Sequence, residues 1–154
     1  MAALSDYMES GLLHHLFRGE TLPKPTNVSM ALCSGVPVDS DTGATIPEVP
    51  SGINGSGTGY TRYDIGDPAI AGDAFWDYTQ ADHDAGSGMI KNANTFFFGT
   101  ALIDWGWVSG IAYVDSSVYG SGNVIMYAQL TKPRAVYEGD APKYDSTKMQ
   151  LKFK

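Results

Sequence analysis

Apolar residues at Met8, Leu12 and Leu16, widened by Leu13 and Phe17, recur at three- and four-residue spacing near the start of the chain. That spacing predicts an amphipathic helix over residues 5–18. Ser5 offers a capping oxygen, Asp6 and Glu9 place negative charge in the first turn, Arg18 suits the last turn, and Gly19 accepts the left-handed conformation that ends a helix. Pro23 and Pro25 keep it from resuming. Such a helix either packs across its own sheet or reaches into a neighbouring subunit, and the pattern leaves both open.

After residue 25 the period changes to two. Val28, Met30 and Leu32 alternate with Asn27, Ser29, Ala31 and Cys33, which predicts a half-buried strand over 26–33. Residues 34–59 carry six glycines and three prolines, too many breakers for a long element, and read as a long loop that could serve as a contact surface. Further strands are expected at 60–65, 74–78, 94–98, 105–114, 123–131 and 147–153, each bounded by turn-forming residues. In the last, Met149, Leu151 and Phe153 alternate with Lys148, Gln150 and Lys152, so one face is buried and the other charged. Seven short strands and one terminal helix, without a parallel crossover pattern, predict a mainly β fold: an antiparallel β-sandwich or jelly-roll-like barrel. Neither a repeat nor an interdomain linker is visible, so residues 1–154 read as one domain.

Composition narrows the function. With 43% hydrophobic residues in 154, the chain can form a core without cross-links, and a single cysteine, Cys33, excludes an internal disulfide and a cysteine-based zinc site. A buried thiol is expected. Ten Lys and Arg against 17 Asp and Glu give a net charge of −7, and no basic run appears before the last few residues, so no nucleic-acid partner is expected. Neither a spanning apolar stretch nor a secretory leader is visible, so no membrane is expected, and the sequons at Asn27 and Asn54 carry no weight.

The candidate chemistry is thin. The run from Gly55 to Gly59 lacks the Lys-Ser or Lys-Thr of a phosphate-binding loop and reads as a turn. Asp82, His83 and Asp84 are adjacent on an extended segment and point in alternating directions, which suits a solvated loop better than a metal site. His14 and His15 lie about 100° apart on the helix and form no zinc pair. Cys33 has no sequence neighbour to lower its pKa, and no Gly-x-Ser-x-Gly elbow is present. The expectation is therefore no enzyme, no cofactor and no metal.

Aromatic residues are the most informative group. Phe97 must face away from Phe96 and Phe98, and Trp76 away from Phe75, so both sheet faces are covered or some rings face outward. Exposed Trp76, Trp105 or Trp107 would suit a sugar platform or a protein anchor.

Several segments in order resemble a family of small tailed-bacteriophage virion proteins, labelled tail-fibre-like or capsid cement (decoration) proteins. They are Ala3-Leu4-Ser5-Asp6-Tyr7 running into Leu12-Leu13 and Phe17-Arg18-Gly19, Val28-Ser29-Met30-Ala31-Leu32, Gly59-Tyr60-Thr61-Arg62, Asn92-Ala93-Asn94-Thr95, Trp105-Gly106 through Gly110-Ile111-Ala112-Tyr113-Val114-Asp115, and Ile125-Met126-Tyr127-Ala128-Gln129-Leu130 before Lys132-Pro133. Residues 36–56 are longer and richer in proline than the family pattern. The resemblance implies a β-rich structural subunit of the virion, made in the host cytoplasm. Its first implication is capsid cement: homo-oligomers, a trimer among the options, on the outer capsid surface, clamping the major capsid protein. A tail or fibre component is the alternative, and a carbohydrate-binding module a further one. The interface residues expected are Tyr7, Leu12 and Phe17 on the helix, Val38, Ile46 and Val49 in the loop, and Trp105 and Trp107.

Overall fold

The computed structural model describes residues 2–22, 24–50, 57–68, 76–77 and 89–152. Its elements in order are β1 (Ala2–Leu4), α1 (Asp6–Arg18), β2 (Val28–Cys33), β3 (Tyr63–Gly66), β4 (Trp76–Asp77), β5 (Met89–Asn92), β6 (Phe96–Phe97), β7 (Gly106–Val114), β8 (Val124–Val136), β9 (Lys143–Tyr144) and β10 (Gln150–Lys152). A five-stranded antiparallel sheet has the order β1-β8-β7-β2-β3, and two smaller sheets have the orders β10-β5-β4 and β6-β9. The result is the expected sandwich-like, mainly β architecture with an N-terminal helix.

Alternation along β2 explains where the core sits. Met30 and Leu32 enter the large cluster, together with Ile111, Tyr113 and Met126 from β7 and β8, and Phe96, Phe98, Met149 and Leu151 from the smaller sheets and the chain around them. Ala31 and Cys33 face the other way, into a second cluster with Ala112, Val114, Val124 and Ile46. The expected half-buried strand is thus covered on both faces. What covers the second face is the beginning of the long loop. Residues 34–50 fold back along the sheet, with Ser34 N donating to Pro47 O at 2.8 Å and Val49 N to Leu32 O at 3.0 Å. Isolated bridges join Cys33 to Glu48 and Thr42 to Asn123.

β8 runs five residues past its expected end because a proline need not break a strand at a bulge. The β7–β8 register shifts between Val108 and Gly110, leaving residues 130–133 outside the ladder, so the missing N–H of Pro133 costs no pairing bond. The expected strand at 60–65 begins only at Tyr63, since Tyr60 and Arg62 are turned inward for hydrogen bonding. β1, β5 and β9, of two to four residues each, are too short for alternation to reveal. Of the strands expected at 74–78 and 147–153, residues 76–77 and 150–152 are extended, while 74, 75, 78 and 153 lie outside the described residues. The Asp82–His83–Asp84 loop and Asn54 also lie outside them.

Asn92 joins the smaller sheets. It is fully buried; its Nδ2 donates to Asn94 O at 2.7 Å and Asp145 O at 2.9 Å, and its Oδ1 accepts from Met149 N at 2.9 Å. A side chain with both donor and acceptor groups can bind a chain segment that no ladder reaches.

Candidate functional site

The helix forms as its sequence directs. Ser5 Oγ accepts from Met8 N at 3.3 Å, and Gly19 closes the other end at φ 69°. Its root is fixed to the sheet: Ser5 is fully buried and its hydroxyl donates to Val124 O, while Asp6 N donates to Asp39 O at 2.9 Å. Beyond that root α1 buries none of its residues. At about 100° per residue, Asp6, Glu9, Leu13, Leu16 and Phe17 fall within one arc of about 100°, and all five are exposed, Leu16 by 62% and Phe17 by 79%. One face of the helix therefore presents two carboxylates followed by three large apolar side chains. The opposite side turns toward residues 20–22, where His15 Nδ1 meets Glu20 O at 2.8 Å.

The expected interface residues separate into two groups. Tyr7, Phe17, Val38 (58%) and Trp107 (63%) are exposed and Leu12 is half-buried. Ile46, Val49 and Trp105 are buried and unavailable to a partner. Ile46 and Val49 are the residues by which the loop grips the sheet. Trp105 and Trp107 part company because Gly106 between them has φ 81°, a conformation that only glycine adopts without strain, and strand alternation does not continue through it. Trp105 Nε1 donates to Thr58 O at 2.9 Å and its ring meets Tyr60 edge-on at 5.2 Å. Tyr7, Leu12 and Phe17, spaced by five, lie on different sides of the helix. For sugar stacking, Trp105 is buried and Trp76 is half-buried against Phe96 and Tyr113, which leaves Trp107.

Beneath the loop lies a buried ion pair that spacing did not reveal. Arg62 Nε and Nη2 donate to the two Glu48 oxygens at 2.8 and 2.7 Å. Its Nη1 donates to Ser116 O and Ser121 O, each at 2.8 Å, and Nη2 also to Gly43 O at 3.0 Å. All five guanidinium N–H groups are used. Glu48 also accepts from Tyr60 Oη at 2.8 Å, and Tyr60 accepts from Leu32 N at 3.0 Å. Burial and the Glu48 charge hold the Tyr60 phenol well above its ordinary range. Burial, followed by Glu48, does the same for the Cys33 thiol. The cluster is fully satisfied and holds three loops together; it leaves no group free for chemistry.

A cleft of about 950 Å³ opens between the outer half of β8 and residues 140–151. Half-buried Ala2, Ala128, Leu130 and Tyr144 line it over the buried Phe98, Val108, Ile111, Met149 and Leu151, and Lys132, Arg134, Lys143 and Lys148 stand along it. Each cation is separated from the next in sequence, which is why no basic run is visible, but the turn of the chain after β8 brings all four to one opening. Lys143 pairs with Asp145 at 3.1 Å. Lys132, Arg134 and Lys148 have no ion-pair partner among the described residues. No three His, Cys, Asp or Glu side chains converge as metal ligands among those residues, and none of the described helices is long and apolar enough to cross a membrane.

A family model described as podophage GP4 fiber I protein gp80 matches residues 3–152. The chain belongs to that family. The gp80 match includes α1, the Arg62–Glu48 clamp and the cationic cleft, and gives the chain a structural role in a phage virion. A search of curated proteins gives no match.

Proposed function

We propose that the chain is a structural subunit of a podophage fibre, attached to the tail, with no catalytic step of its own. The observation that carries this reading is the gp80-family match over residues 3–152, which favours the fibre over capsid cement. The physical properties suit a load-bearing subunit: Arg62 and Glu48 secure the loops against the sheet, and the helix face and the cleft remain available for neighbours. The chain's copy number and position in purified particles test the proposal, by quantitative mass spectrometry together with cryo-electron microscopy. A small number of copies, confined to tail appendages, is the expected result. Hundreds of copies on the head lattice would overturn it in favour of cement.

A further inference from the structure

Two exposed surfaces of this chain have complementary chemistry. One face of α1 carries Asp6 and Glu9 and then Leu13, Leu16 and Phe17, all exposed. The cleft has an accessible apolar lining in Ala2, Ala128, Leu130 and Tyr144, and Lys132, Arg134 and Lys148 stand along it without an ion-pair partner among the described residues. Within one copy they do not meet, because no residue of α1 lines the cleft. The helix root is tied to Asp39 and Val124, and Asp39 is bonded in turn to Tyr127. Tyr127 packs against the second cluster, on the opposite face of β8 from Ala128, which lines the cleft.

We propose that α1 of one copy seats in the cleft of the next, with Leu13, Leu16 and Phe17 over the apolar lining and Asp6 and Glu9 against Lys132 and Arg134. The occupant is a second copy of this chain, since the acidic and apolar halves of the helix face correspond to the cations and the apolar lining of the cleft. This is helix-in-groove recognition. Because the two surfaces are different and lie on opposite faces of the sheet, the contact is heterologous and links copies head to tail, closing a ring when the rotation permits. The contact is a property of the chain and does not depend on where in the virion the protein is found.

Charge reversal on each side tests it. K132E/R134E makes both surfaces of one variant acidic, and D6K/E9K makes both surfaces of the other basic, so each alone should lose the association expected of the wild type in native mass spectrometry and sedimentation. Mixing the two restores opposite charges at every contact and should restore association. Far-UV circular dichroism and thermal unfolding of each variant establish that it is folded. A second measurement does not depend on charge: Phe17→Cys in one preparation and Lys148→Cys in another, joined by a short bis-maleimide, should give the mixed dimer, with Cys33 too buried to contribute background. A wild type that remains monomeric, variants that associate as the wild type does, or a mixture that stays apart would each overturn the proposal.

Discussion

Arg62 and Glu48 have 0% and 3% of their side chains exposed, so neither charge can be solvated if the other is removed. Breaking a buried pair of this kind costs roughly 3–5 kcal/mol, mostly from the charge left behind. Arg62→Met is expected to lower the free energy of unfolding measured in urea by that amount, and Arg62→Lys to recover only part of it, because an ammonium cannot reproduce the five-donor fork. A loss below about 1 kcal/mol would mean that water reaches Glu48 when the guanidinium is gone. Two phenols give a separate signature. The Asp39 hydrogen bond and partial burial push Tyr127 up to about 12, and burial pushes Tyr144 to about 12. Phenols of the unfolded chain titrate at about 10, so the fold retains these protons to higher pH. Their contribution is complete below about pH 10 and is lost as pH rises toward 12. Unfolding midpoints measured across that range should fall, and Tyr127→Phe should flatten the fall; an unchanged slope would remove Tyr127 as a cause.

At the scale of elements, the helix is the most legible part of the sequence and the least buried part of the structure. Its cap, its acidic first turn, its end at Gly19 and its apolar stripe follow from local chemistry. The stripe does not say what it faces. Ser5→Ala should cost about 1–2 kcal/mol, since it removes a cap and also the buried hydroxyl that donates to Val124 O. Leu16→Ser should leave the stability of the isolated subunit within about 0.5 kcal/mol, as expected of a surface position; a larger loss would show that α1 packs on its own sheet. Strand lengths were less legible. β8 outruns Thr131 through a bulge at Pro133, and β3 starts late because Arg62 has a tertiary partner, Glu48, 14 positions away.

For the molecule as a whole, Cys33 reports on how the loop and the sheet open. It lies in the second cluster, under the loop that Ile46 and the Arg62 clamp hold down, with its thiol shifted away from the reactive thiolate. Labelling by a thiol reagent in increasing urea should follow global unfolding. Rapid labelling under native conditions would show that residues 34–50 open separately from the sheet.

The sequence by itself determined the helix with its caps, the mainly β class, the alternation that buries Phe96 and Phe98 while exposing Phe97, and the buried single thiol. These follow from periodicity, turn chemistry and side-chain polarity, which act over a few residues. Tertiary structure alone decided that Ile46, Val49 and Trp105 belong to the core, that Glu48 and Arg62 meet, and that Lys132, Arg134, Lys143 and Lys148 share one opening. Each of those outcomes depends on where distant segments return to the sheet, and a local pattern of apolar and polar residues carries no record of that return.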